Sequence, residues 1–376
     1  MSMMADEGGV VYGGVDTHAE VHVAAAVDPV GRVLGTESFP VSAQGYAALL
    51  GWLAGFGKLA RAGVEGTGSY GAGLARFLAG AGVAVLEVNR PDRQRRRRYG
   101  KSDPADAVSA ALAALRGQDC GTPKSADGTA ESLRALRAAR RGAVKARSQA
   151  GNQLRDLLVT APGELRAELT RPDGKALAGG ALASACAAFA GPQAPGPAAM
   201  TRTAMASIAR RWQQLDQEAA ALDAAMEDLA AAAAPDLLAR TGIGPQSAAA
   251  LLIAAGDNPA RIGTEAAFAA LCGVSPVDCS SGKHERHRLN RGGDRQANSA
   301  LWRIVQTRLQ HDPRTIAYLE KRTKEGKTRK EIIRAIKRYV AREVWKIIVR
   351  PTLPPRHDSP ATSHLTSQNT KTQQNP

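Results

Sequence analysis

A mixed α/β sheet followed by α-helical segments is the fold class this sequence predicts, and three observations predict it. Apolar runs at 10–18, 21–27 and 32–35 are separated by turn residues, Asp28, Pro29 and Gly31 among them, which is the pattern of a β-meander. Strand-like and helix-like stretches then alternate as far as about residue 115, as they do in sheets with helical crossovers. From Thr129 onwards the apolar spacing is helical.

Composition narrows the function. A chain of 376 residues has room for two to three domains. Hydrophobic residues make up 44% and aromatics only 4%, so the cores must be built from Ala, Val and Leu. A net charge of +15 points to a polyanionic partner, nucleic acid ahead of a membrane surface. Cys120, Cys186, Cys272 and Cys279 form no C-x-x-C pair, which argues against a disulfide framework or structural zinc. No apolar stretch reaches membrane-spanning length and no signal pattern opens the chain. The expectation is a soluble protein of the cytoplasm.

In order, the first run ends in Asp16, a carboxylate at a strand end. A helix is expected over 42–53, capped by Ser42, with Tyr46, Leu49, Leu50 and Leu53 on one face. The next strand closes at Val64 with Glu65 at its end. Gly66 and Gly68 make a turn and Ser69 can start a helix, after which 83–88 reads as a further strand. Arg95, Arg96, Arg97 and Arg98 are too dense for a core face and suit a phosphate-contacting loop. A helix then opens with Asp103 as cap and Pro104 at its first position. Asp106 follows three residues on, so the two carboxylates can converge.

Four acids therefore stand out: Asp16, Glu65, Asp103 and Asp106. Two end strands and two begin a helix, and strand ends are where open α/β sheets carry their sites. A pair of Mg²⁺ ions, or Mn²⁺ in their place, needs about this many carboxylates beside a phosphate. The plainer alternatives are solvated strand ends and an ordinary helix cap.

Residues 119–128 read as a loop and 129–159 as one long basic helix. The stretch 162–197 is less regular. Ile208, Trp212, Leu215, Ala219, Leu222, Met226 and Leu229 recur in alternating steps of four and three. That seam predicts a coiled coil, within the chain or between chains.

Residues 235–248 have the form of a helix-hairpin-helix, whose Gly242-Ile243-Gly244 turn would offer backbone N–H groups to a phosphate. Residues 279–294 form a polar, glycine-punctuated loop with serines at its head, followed by Lys283, Arg286, Arg288 and Arg291. A hydroxyl among such cations can attack a phosphodiester, although a serine beside glycine is more often only a turn residue. From Lys283 to Arg350 there are 20 Lys/Arg against 7 Asp/Glu, so the positive field concentrates here. Trp302, Tyr318, Tyr339 and Trp345 lie within it and read mostly as core. From Pro351 the tail is too polar to bury a core and is expected to be disordered.

The blocks Gly14-Val15-Asp16-Thr17-His18, Val64-Glu65-Gly66-Thr67-Gly68-Ser69-Tyr70 and Lys101-Ser102-Asp103-Pro104-Ala105-Asp106-Ala107 resemble the signatures of the DEDD-type insertion-sequence transposases. That family includes Piv-like invertases and bridge-RNA-guided recombinases. Its third block commonly reads Lys-Thr-Asp-Arg-x-Asp-Ala; Ser102 and Pro104 depart from it and leave both acids in place. Gly273-Val274-Ser275-Pro276, Ser280-Ser281-Gly282 and Leu289-Asn290-Arg291-Gly292-Gly293-Asp294 are similar to the family's C-terminal transposase domain.

The resemblance implies a RuvC-like ribonuclease H fold at 8–118, a coiled-coil region at 129–232, a C-terminal transposase domain at 233–350 and a tail at 351–376. It implies Mg-dependent DNA cutting and rejoining, with Ser281 as nucleophile and Ser280 in reserve, through a phosphoserine–DNA intermediate. It also implies a homodimer assembling to a tetramer, a structured non-coding guide RNA, and action at the nucleoid. Three other readings remain. A RuvC-like junction endonuclease would use water and leave Ser281 idle. A sugar kinase or actin-like ATPase would want glycine where His18 stands. A basic architectural protein would explain the charge but not the four acids.

Overall fold

The computed structural model describes residues 9–88, 102–118, 120–189, 196–282, 287–288 and 290–352. Arg95, Arg96, Arg97, Arg98, Lys283, Arg286 and nearly all of the predicted tail lie outside them.

The meander is present as β1 (Val10–Thr17), β2 (Val21–Val27) and β3 (Val33–Pro40), paired antiparallel. Ser42 caps α1 (Ala43–Ala54), its hydroxyl accepting the Gly45 N–H at 3.0 Å. β4 (Lys58–Glu65) returns parallel to β1, and β5 (Val85–Val88) lies parallel to β4. Between them α2 (Ala72–Gly80) starts three residues later than Ser69 suggested. The Ser69 hydroxyl instead donates to the Gly66 carbonyl inside the turn, so it holds the turn rather than the helix.

α3 (Asp103–Arg116) begins at Asp103 itself, with Ser102 as the N-cap residue. The stretch read as a loop from 119 contains a two-residue strand, β6 (Cys120–Gly121), antiparallel to β5. The sheet order is β3-β2-β1-β4-β5-β6. Strand alternation sends Val11, Val15, Ala24 and Val64 against α1 and α2 on one face. Val23, Ala25 and Val27 pack against Ala107, Val108 and Ala111 of α3 on the other.

α4 (Thr129–Thr160) and α7 (Pro197–Ala233) are the two longest helices and pack on each other. Short α5 (Gly163–Glu168) and α6 (Gly179–Ala187) lie between them in sequence. The heptad seam is thus answered within the chain. It is reinforced by charge: Arg140 makes a bidentate pair with Asp223 at 2.5 and 2.9 Å, and Arg147 pairs with Asp216. Part of the basic charge of α4 is neutralised there.

The last segment has its own core. It joins α8 (Pro235–Leu238), α9 (Pro245–Ala255), α10 (Glu265–Leu271), α11 (Arg295–His311) and α13 (Arg329–Ile348) around Leu237, Leu251, Phe268, Leu301, Ile304, Ile336 and Val344. α12 (Pro313–Lys324) flanks it, and β7 (Val277–Asp278) and β8 (His287–Arg288) form a separate hairpin. Among the described residues no helix is long and apolar enough to cross a membrane.

Candidate metal centre and serine hairpin

Strand period two decides which side chains of β1 and β4 share a face. Gly14 and Gly63 are cross-strand partners, and both lie under α3. A Cβ on Gly14 would sit 2.0 Å from the Ala111 nitrogen, and one on Gly63 would sit 2.5 Å from the Ala110 carbonyl oxygen. The missing side chains let α3 lie directly on the two strands. Asp16 and Glu65 are each two residues further on, so both point to the α3 side at the same end of the sheet. The first turn of α3 delivers Asp103 and Asp106 to that end.

Asp16 is 7% exposed and Asp106 only 2%, whereas Asp103 is open to solvent. Burial raises the Asp16 carboxyl above its ordinary value; His18 opposes this, and the Asp106 and Asp103 charges add to it. All three aspartates thus act on one spot. Glu65 stands beside them on the neighbouring strand, and its carbonyl oxygen accepts the Thr17 hydroxyl at 2.9 Å, which ties the ends of β1 and β4 together.

His18 is the member that sequence reasoning left out. Its Nε2 lies 3.2 Å from Asp16 Oδ2 and 3.5 Å from Asp103 Oδ2. Potential ligand atoms of Asp16, His18 and Asp103 all fall within 4.8 Å of one another. The available signal was the Asp-x-His spacing at the end of β1. The donor set fits a divalent cation: a buried carboxylate disfavoured by its acidic neighbours is relieved by positive charge placed among them.

The serines occupy the β7–β8 hairpin, where Val277 pairs with Arg288 and Asp278 with His287. Ser280 is drawn to Asp278: its N–H and its hydroxyl both donate to Oδ1, at 2.8 and 2.5 Å. These bonds hold the Asp278 carboxyl below the usual carboxylate range. Ser281 and Gly282 follow at the exposed tip, and Arg288 and Arg291 are exposed nearby in sequence.

The loop behind the hairpin is clamped to α10. The Asp294 N–H donates to the Leu271 carbonyl at 2.6 Å, and Asn290 Nδ2 to the Ala270 carbonyl at 3.2 Å. Asn298 Nδ2 reaches the carbonyls of Cys272 and Gly273 at 2.9 and 3.1 Å. In the turn before α9, Gly244 is the N-cap residue, and Arg308 Nε donates to the Thr241 carbonyl at 2.7 Å. The aromatic residues divide: Trp345 is 9% exposed and in the core, but Trp302 is 48% exposed and Tyr339 also faces solvent.

The chain thus carries an acid cluster on an α/β sheet and a serine hairpin in a basic helical segment. Comparison with protein families places it. The IS110-type DEDD transposase model matches residues 13–161, and the Transposase IS116/IS110/IS902 family model matches residues 235–320. Together they span more than half of the chain, which belongs to the IS110-type insertion-sequence transposases. No curated protein matches it.

Proposed function

We propose that this transposase cuts and rejoins DNA at the ends of an insertion sequence through a serine-linked intermediate. The carrying observation is that both family matches fall on one chain, one over the converging acids and one over the serine hairpin. The sheet order, with an antiparallel meander, two parallel strands and helices on both faces, supports a RuvC-like ribonuclease H fold for 8–118. Residues 129–232 are then the coiled-coil region. Residues 233–350 are the C-terminal transposase domain, with a helix-hairpin-helix at Gly242 and Gly244.

Asp16, Glu65, Asp103 and Asp106 hold Mg²⁺ or Mn²⁺ in this reading, and His18 is placed to join or orient the ligands. Bound there, the cation supplies charge stabilisation to a phosphate oxygen. The Ser281 hydroxyl attacks the scissile phosphorus. A bond forms from Oγ to phosphorus, the bond from phosphorus to the 3′ oxygen breaks, and the leaving 3′ oxygen takes up the proton. One phosphodiester replaces another, so a later 3′-hydroxyl can reverse the step on a new strand without ATP. Ser281 is taken ahead of Ser280 because the family resemblance puts the nucleophile immediately before the glycine, here Gly282.

Arg288 and Arg291, with Lys283, Arg286 and Arg95 to Arg98, bind phosphates. Family resemblance adds a structured guide RNA, a dimer that assembles to a tetramer, pairing of the acid and serine sites across copies, and action on the nucleoid in the cytoplasm. The test is a plasmid carrying the element's ends, incubated with purified protein and resolved on denaturing gels. A protein–DNA adduct lost in Ser281→Ala and kept in Ser280→Ala is expected. Cutting without any adduct would identify a water-using endonuclease instead.

A further inference from the structure

Beside the clamped loop, α11 and α13 enclose an open pocket of about 490 Å³. Two helical stripes make its walls. Arg295, Asn298 and Trp302 stand at i, i+3 and i+7 on α11, and Lys330, Arg334 and Lys337 at i, i+4 and i+7 on α13, with Arg291 at the rim. Among the described residues no carboxylate lines it.

The cations of the pocket differ from their neighbours. Arg338 and Arg342 are tied to Glu265, and Arg308 to Glu343. Among the described residues, none of Arg291, Arg295, Lys330, Arg334 and Lys337 forms an ion pair, and the acid that acts on Arg334 is Glu331, one turn away on its own helix. Lys337 Nζ donates to Asn298 Oδ1 at 2.7 Å. Burial, and then Arg334, pushes its ammonium below the ordinary lysine value, so a bound anion would relieve it.

Trp302 is equally unlike the other tryptophans. Trp52 packs on Phe39 and Phe56, Trp212 lies under Arg147, and Trp345 is buried with its indole N–H donating to the Ile262 carbonyl. Trp302 is half exposed and, among the described residues, stacks on no ring. A flat aromatic surface beside unpaired cations is the combination that holds an unpaired nucleotide, with the base on the ring and the phosphate on the cations. A base stacked inside a duplex cannot offer its face.

We propose that the α11–α13 pocket binds an unpaired nucleotide of a nucleic-acid strand, with its base against Trp302 and its phosphate between Lys330, Arg334 and Lys337. This rests on the transposase reading only for the supply of such a strand.

The test uses the full-length chain and fluorescence anisotropy with three labelled probes: a short oligothymidylate, the matching oligouridylate and a DNA duplex of the same length. Trp302→Ala is expected to weaken single-strand binding by about tenfold, within the span measured for base–aromatic stacking. Duplex binding should stay near wild type. Trp302→Phe should retain most of the affinity, and it should lose the part of the intrinsic fluorescence that the single strand quenches. Lys330→Glu should weaken both single strands and lower the salt dependence of binding. The better single-stranded probe names the source as DNA or RNA.

Unchanged single-strand binding in Trp302→Ala, equal loss on the duplex, or no single-strand binding by the wild type would each overturn the proposal. These outcomes leave the Ser281 adduct assay untouched, so the pocket and the serine chemistry fail separately.

Discussion

Asp257 caps α4 from far along the chain: its Oδ1 accepts the N–H of Ala130, 127 residues earlier, at 2.6 Å. Oδ2 accepts the Glu131 N–H at 3.2 Å. Gly128, the N-cap residue of α4, has no side chain to do this. In return Lys124 Nζ donates to the Ile253 carbonyl at 2.6 Å, and Arg261 reaches the carbonyls of Ala254 and Ala255, both at 3.2 Å. Lys124 of the segment leaving the sheet, with Arg261 of the loop after α9, thus covers the C-terminal carbonyls of α9, while Asp257 of that loop covers the N-terminal donors of α4. Each charge has the sign its helix end favours.

Removing the Asp257 cap should therefore loosen the junction without touching the acids. Asp257→Ala is expected to cost about 1 kcal/mol, the usual worth of an N-cap side chain. Urea unfolding followed by circular dichroism would measure it, and hydrogen exchange should speed at Ala130 and Glu131. Unchanged protection at those two amides would rule out the capping role.

Lys124 makes the same junction pH-sensitive. Burial, and then Arg261, holds its pKa below the ordinary 10.5. Between that lowered value and 10.5 the unfolded chain binds more protons than the folded one, so this group's contribution to stability grows as pH rises and is lost as pH falls through the folded value. Lys124→Met has no such titration. The stability difference, wild type minus variant, should increase from neutral pH towards 10.5. A flat difference across that range would contradict the burial of a charged ammonium there.

How far the sequence reached is clearest at particular residues. β1 to β5 were legible because period-two alternation and Asp, Pro and Gly punctuation are local signals. Asp16, Glu65, Asp103 and Asp106 could be picked out because they stand at element ends. The approach of Asp103 and Asp106 to Asp16 depends on α3 lying against Gly14 and Gly63, a contact between segments that no local pattern carries. His18 was missed because a histidine two residues past a strand-end acid looks solvated until Asp103 arrives from α3. The Asp257 cap and the two-residue β6 have the same cause: partners distant in the chain. Trp302 and Trp345 both sit in amphipathic helices, and only the packing of α11 and α13 decides that one faces the pocket and the other the core.

At the acid cluster, Asp16→Asn should abolish saturable Mn²⁺ binding followed by electron paramagnetic resonance. His18→Ala should weaken it by roughly ten- to 100-fold, the range typical of groups that orient metal ligands. The Asn variant keeps the shape of Asp16 and removes its charge, so its fold should survive. A His18→Ala variant that binds Mn²⁺ as tightly as wild type would make the 3.2 Å contact with Asp16 incidental.

The loop behind the serine hairpin depends on an approach between two backbones. A Cβ on Gly293 would lie 2.2 Å from the Gly273 nitrogen and 2.4 Å from its Cα. Both are backbone atoms, so no side-chain rotation can relieve the clash. Gly293→Ala must therefore push residues 290–294 away from the end of α10, straining the Asp294 N–H bond to the Leu271 carbonyl and the Asn290 bond to the Ala270 carbonyl. The expected cost is about 2 kcal/mol, in the range for overpacked sites. The β7–β8 hairpin that carries Ser281 runs into this loop along the chain, and Asn290, Arg291 and Gly293 of the loop line the α11–α13 pocket. The variant should therefore lose adduct formation and single-strand binding together, while Mn²⁺ binding at Asp16 persists. Calorimetric unfolding together with the two binding assays would check this, and a Gly293→Ala protein with wild-type stability would show that the loop can move aside freely.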